Sequence, residues 1–188
     1  LHDIDANYTH GEALTSRKAE EILRGFKKAY QVLLDNNFKA KDLRCDNETS
    51  HIFLNYLNQD ANLTHQKVPP NNHRSNPAET AVRDFKNHFI AMRAGLPDTY
   101  PKNRWDLLLP LCNLTHNILR PSQIQPNLSA HQLIHGNYDY NKHPLAPAGC
   151  MVIAYDNPNV RPTWAEHGVE GFYIGPSKEH YRSHICYI

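Results

Sequence analysis

Apolar positions along the chain repeat at two different spacings, and the change between them divides it. Residues 8–15 read as a short extended segment, and Thr15 or Ser16 is placed to cap the helix after it. Over 17–36, Ile22, Phe26, Ala29, Tyr30 and Leu33 form the stripe of an amphipathic helix, stopped near Asn36-Asn37. Residues 38–45 predict a short strand leading into Asp46, and 50–60 a second helix burying Ile52, Phe53, Tyr56 and Leu57. A strand over 63–68 ends at Pro69-Pro70. Asn76 then suits an N-cap, Pro77 the first helical position and Gly95 the stop of a helix presenting Ala78, Val82, Phe85, Phe89 and Met92. One further helix is predicted over 103–119 and a short one over 129–135. Strand and helix alternating in this order predict a layered α/β domain. After Gly136 the helical period disappears. Short apolar runs at 149–155, 171–175 and 181–188, separated by Gly and Pro, predict a small β-rich module.

Composition narrows the possibilities. The 188 residues carry 20 Lys+Arg and 19 Asp+Glu, a formal charge of +1, which excludes a basic nucleic-acid tail or an acidic solvating domain but not a local basic stripe. No apolar run approaches the roughly 20 residues of a membrane span, so no membrane partner is expected. Leu1 opens a stretch without the features of a signal peptide, and the chain reads as cut from something longer. Cys45, Cys112, Cys150 and Cys186 are widely spaced with no C-x-x-C, which favours a reduced, intracellular setting. The five N-x-S/T sequons, at Asn7, Asn47, Asn62, Asn113 and Asn127, reflect an Asn-rich composition. His131-Gln-Leu-Ile-His135 has the spacing of a zinc helix, but Gln132 stands where the general base belongs. Trp105 and Trp164 read as packing residues rather than base-stacking platforms.

Two acids carry the candidate chemistry. Asp46 follows a strand, and Glu79 lies in the first turn of a helix, with 32 residues between them. Carboxylates placed this way can serve two-metal phosphoryl transfer. Each also has an ordinary reading: Asp46 as a helix cap and Glu79 as the third residue of a capping box. Arg83 and Lys86 follow Glu79 at successive turns. They are placed either to meet phosphates or, for Arg83, to pair with Glu79 on a solvated face.

Asp46-Asn47 after a strand, then Asn76-Pro-Ala-Glu79 after a polar loop, resembles the second Asp and the Glu of a retroviral or retrotransposon integrase core. Trp105 to Arg120, with Asn117-Ile-Leu-Arg-Pro121, is similar to the family's following helix. Ser129 to Gly136 resembles the T-P-x-E-x-W-x-G segment of copia-type elements, and Val169 to Gly175 with Tyr181-Arg182 resembles the SH3-like module after the core.

The resemblance implies an RNase H-like α/β fold, N-terminally truncated, over 1–143, with an SH3-like module over 144–188. It implies origin in a retroelement Pol polyprotein, and Asp46 and Glu79 as ligands of Mg²⁺ or Mn²⁺ for DNA 3′-end processing and strand transfer. It places Arg83 and Lys86 on the DNA end. The implied partners are the element ends, target DNA and further copies of the chain, and the implied location is the nucleus, otherwise the cytoplasm.

Cys45 and Glu48 depart from the family pattern. The family's first catalytic Asp lies on a strand expected before Leu1; Leu1 to Asp5 resembles the strand after it, so Asp3 and Asp5 are not substitutes. The fragment is therefore expected to have unpaired central-sheet hydrogen bonds and to be inactive alone. The alternative is a non-catalytic or decayed descendant that binds DNA or protein. In the module, Arg161, Lys178 and Arg182 suggest a docking or DNA-contacting accessory, or ordinary solvation.

Overall fold

The computed structural model describes residues 1–45, 50–59, 61, 63–67, 77–155, 159 and 161–188. In chain order they form β1 (His2–Asp3), β2 (Tyr8–Thr9), α1 (Ala19–Asp35), β3 (Asp42–Cys45), α2 (His51–Gln59), β4 (Thr64–Lys67) and α3 (Pro77–Ala94). A 3-10 segment (Lys102–Leu108), α4 (Leu109–Leu119), α5 (Ala130–His135), β5 (Met151–Tyr155), β6 (Gly168–Pro176) and β7 (His184–Tyr187) complete the order. The fold is mixed α/β, with two compact units: residues 1–85 with 117–136, and 86–116 with 137–188.

In the first unit, β3 and β4 pair in parallel, Asp42 opposite Thr64 through Cys45 opposite Lys67, and α2 makes the crossover a parallel pair requires. Along β3, Leu43 and Cys45 are half-buried while Asp42 and Arg44 are exposed, the alternation of a strand covered on one face. The core gathers Tyr8, Tyr30, Leu33, Phe53, Leu57, Leu63 and Ile134, with Phe26 edge-on to Phe53 at 4.8 Å. The stripe of α1 holds at Ala29, Tyr30 and Leu33, which are buried, and at Phe26, which packs on the core, while Gly25 is buried and Ile22 exposed. A Cβ at Gly25 would sit 2.5 Å from the Leu14 side chain, so the chain crosses α1 where the helix is thinnest. Thr15 does not cap α1; its N–H and hydroxyl donate to Glu21 Oε1 while Lys18 occupies the N-cap position.

The antiparallel pair β1–β2 forms a sheet separate from β3–β4. Leu1 and His10 exchange backbone hydrogen bonds, 3.0 and 2.9 Å, so the alternation of an antiparallel ladder turns the N–H and C=O of Thr9 away from β1. The side-chain amide of buried Asn117 meets both. Its Oδ1 accepts from Thr9 N at 2.8 Å, and its Nδ2 donates to Thr9 O at 2.7 Å. One asparagine thus stands where a neighbouring strand would be.

α3 spans the expected residues, and of the expected face Ala78, Phe85, Phe89 and Met92 are partly buried. Val82, expected inside, is 63% exposed, and Ala81 is buried in its place. Polar partners select the packed side: Asp84 pairs with Arg120 at 3.3 Å, and His88 Nε2 lies 2.8 Å from Thr115 Oγ1. Thr115 Oγ1 donates to the Leu111 carbonyl, so the imidazole N–H donates to the hydroxyl. The single helix expected over 103–119 is two pieces. Arg104 breaks the helical backbone (φ −100°, ψ 30°), and Pro110, which cannot donate a backbone hydrogen bond, sits in the first turn of α4.

In the second unit, β5, β6 and β7 form an antiparallel sheet in that order, and β6 lies against the 3-10 segment. Tyr173 is buried and Phe172 packs edge-on to Tyr100 at 5.2 Å. Gly149 has φ +65°, and a Cβ there would collide with Leu96, so glycine is needed twice over. Among the described residues no helix is long and apolar enough to cross a membrane.

Candidate functional site

β3 ends at Cys45, so Asp46 directly follows the strand in the chain; Asp46 itself, like Asn76, lies outside the described residues. Glu79 is exposed in the first turn of α3, where the helix dipole favours a carboxylate. Arg83 and Lys86 are exposed at the next turns of the same helix, and Arg93 is in its last turn. The Arg83 guanidinium makes a long contact of 3.9 Å with Asp84, with 70% of its side chain exposed, a geometry worth little in water.

Carboxylates are hard oxygen donors of the kind Mg²⁺ takes, and Glu79 is of that kind. Among the described residues no group of three His, Cys, Asp or Glu side chains is placed to hold a metal ion. The described donors therefore do not by themselves make up a cation site. Asp3 is engaged elsewhere, its carboxylate accepting from the Ala6 N–H at 2.7 Å in the β1–β2 turn, with burial raising its pKa. His135 Nε2 lies 3.1 Å from the Tyr8 hydroxyl, packing the short helix onto β2.

Sequence reasoning missed a polar cluster in the first unit. Asn7, buried with φ +55°, donates from Nδ2 to the Pro121 carbonyl at 2.9 Å, and its Oδ1 accepts from Arg120 Nη2 at 2.8 Å. Arg120 also reaches Asp84, so one guanidinium ties α3, the end of α4 and the β1–β2 turn together. The sequon asparagine at 7 is thus a packing residue. The Asn117-Ile-Leu-Arg-Pro121 run was visible only as a family likeness, not as this bonding pattern. A readable signal was overlooked at α5, where Ser129 and Gln132 form a capping box with bonds of 3.1 and 2.8 Å.

In the second unit Trp105 packs edge-on to Phe89 at 6.2 Å, but Trp164, expected to pack, is 99% exposed. It lies in the link between β5 and β6, outside any strand or helix that could cover it. Arg161 sits 5.9 Å from the Tyr155 ring centroid, and Lys178 and Arg182 are both exposed.

Two solved structures similar to this fold are retroviral. The fold is integrase-core-like. The crystal structure of the catalytic core domain of BIV integrase matches with a TM-score of 0.52 and 16% identity, over 71% of this chain and 81% of that one. The cryoEM structure of a simian T-cell lymphotropic virus intasome in complex with PP2A regulatory subunit B56 gamma matches with a TM-score of 0.50 and 15% identity, over 92% of this chain and 66% of that one. No protein-family model matches the chain, and no curated protein matches it significantly. At these identities the likeness is one of fold.

The histidines make stability depend on pH. Burial, the Arg120 charge and the N-terminal ammonium push His2 down to about 4, and burial lowers His10 and His88 as well. An unfolded histidine titrates near 6.5, so between there and about pH 4 the unfolded chain binds protons that the folded chain refuses. Stability therefore falls with pH across that window and levels off for His2 below it. Glu21, held down at about 2 chiefly by Arg24 and then Thr15, adds a loss in the same direction once pH drops below the usual carboxylate range; Asp3, raised by burial, opposes it. Urea midpoints should be lower at pH 4.5 than at pH 7, and His2→Gln should flatten that dependence; equal midpoints would contradict the assignment.

Proposed function

We propose that the chain is the later part of a retroelement integrase core of RNase H-like topology, copia-like in its Ser129 to Gly136 segment, followed by an SH3-like module over 144–188. The observation that carries this reading is the fold likeness to the two retroviral structures. Two further features support it. β3 ends one residue before Asp46 in the chain and Glu79 lies in the first turn of α3, which is consistent with the resemblance. The described strands of the first unit form two separate pairs, β1–β2 and β3–β4, and in this reading a strand upstream of Leu1 completes them into one sheet. That strand would carry the third carboxylate.

In this reading Asp46 and Glu79, with that third acid, hold Mg²⁺ or Mn²⁺, which supplies Lewis-acid stabilisation for in-line phosphoryl transfer at DNA ends. Asp46 and Glu79 supply negative charge and orientation at the reacting phosphate. Arg83 and Lys86 neutralise the neighbouring DNA backbone phosphates and hold the end in register. The protein acts in the nucleus, on element ends and target DNA, as a multimer.

The test is Mg²⁺-dependent joining of a donor duplex to plasmid DNA by the protein extended upstream of Leu1. Joining supports the reading. DNA binding without joining, at any Mg²⁺ or Mn²⁺ concentration, would leave a binding-only descendant. For Arg83→Ala and Lys86→Ala, fluorescence anisotropy on a duplex should show weaker binding for all sequences alike. The slope of log affinity against log salt should shrink by about one per substitution. An unchanged slope in both variants would return the two residues to the role of helix-surface cations.

A further inference from the structure

The sheet of the second unit has one edge that lacks the usual protection, and it does not depend on the integrase reading. Among the described residues β5 pairs only with β6, Met151 opposite Phe172 through Tyr155 opposite Gly168. Tyr173 N–H bonds to the Cys150 carbonyl at 2.9 Å, so by the alternation of antiparallel pairs Val152 and Ala154 direct their backbone groups to β6. The N–H and C=O of Met151, Ile153 and Tyr155 then face outward. The side chains of the same three residues share one face of the sheet and are exposed, Ile153 at 78%. Native edges are commonly blunted by Lys, Pro, an inward charge or a bulge, and none of the five residues is charged or Pro.

The register names the occupant. A second β5 laid antiparallel about a two-fold axis through Ile153 sets Ile153 opposite Ile153 and Met151 opposite Tyr155 at both ends. The outward groups of both copies are then satisfied by about six hydrogen bonds. Met151 meets the ring of Tyr155, a favourable sulfur–aromatic pairing. No charge opposes its own copy, and on the other face Val152 meets Ala154. We propose that β5 is a self-complementary edge through which two copies of this chain form a closed six-stranded sheet. A five-residue edge offers less than the roughly 800 Å² per partner of a standard interface, so the association is weak.

Sedimentation equilibrium of the 188-residue chain between about 5 and 200 µM should show a monomer–dimer equilibrium. Ile153→Lys, which places two ammonium groups on the axis, should raise the dimer dissociation constant at least about 100-fold. Because a charge could also disturb the sheet, Ile153→Cys provides a second readout. In an antiparallel hydrogen-bonded pair the axial Cα atoms lie about 5.5 Å apart, within disulfide reach, whereas two copies of Met151→Cys are out of reach. Oxidation should give a linked dimer for Ile153→Cys and not for Met151→Cys in the same background. A monomer throughout, open-ended aggregates, a dimer indifferent to Ile153→Lys, or equal cross-linking at both positions would overturn the proposal and assign the edge to a different partner.

Discussion

Strand transfer by the protein extended upstream of Leu1 should fall at least about 1000-fold in Asp46→Asn and in Glu79→Gln, about 4 kcal/mol of transition-state stabilisation in each case. Both substitutions keep the shape of the side chain and remove one negative charge, so a divalent cation loses a hard ligand while the packing is untouched. Glu79 is exposed on α3, and a surface change of this kind alters stability by less than about 0.5 kcal/mol. An unaltered melting temperature should therefore accompany the loss. Glu166→Gln, an exposed change in the other unit, is the control and should join DNA at the wild-type rate. If Asp46→Asn keeps activity within tenfold, Asp46 is not a ligand. Its role then reverts to capping the helix that begins near it.

Asn117→Ala should destabilise the chain by about 3 kcal/mol in urea titration, the largest loss expected from a single polar truncation. Asn117 is fully buried and pairs with both backbone groups of Thr9, at 2.8 and 2.7 Å. Truncation leaves a buried N–H and a buried C=O without partners, each costing about 1–3 kcal/mol, and adds a small cavity. Asn117→Asp should be nearly as harmful, since a carboxylate can accept from Thr9 N but cannot donate to Thr9 O. Leu119→Ala, two residues on and 74% exposed, should cost less than about 0.5 kcal/mol. Equal losses at 117 and 119 would mean that the amide is not what ends the sheet at β2.

Where local rules act alone, the chain could be read directly. Pro77 and Gly95 bracket α3 at its observed ends, and the loss of helical period after Gly136 marks the stretch that becomes β5, β6 and β7. Where a second segment decides, it could not. α1 turns Gly25 inward because the Leu14 segment crosses there, and α3 leaves Val82 outside because Asp84 and His88 have partners on α4 and just beyond it. A stripe drawn from hydrophobicity cannot anticipate either, since in both cases the partner is distant in the chain or polar. Trp164 failed for the opposite reason: its size predicts burial, and no element lies behind it.

The candidate site divides in the same way. The spacing of Asp46 and Glu79 and the run of cations after Glu79 were legible because a strand end and a helix start are set by neighbouring residues. The Asn7–Arg120–Asp84 cluster and the strand-like role of Asn117 were not, because each joins residues separated by 36 to more than 100 positions. The sequence by itself determined most of the elements and their order. Only the tertiary structure decided that Gly25 is inside and Ile22 and Val82 outside, that the described strands of the first unit form two pairs, and that β5 is an open edge among the described residues. Those outcomes depend on which distant backbone groups find a partner, and hydrogen-bond satisfaction is a property of the assembled fold rather than of any local stretch.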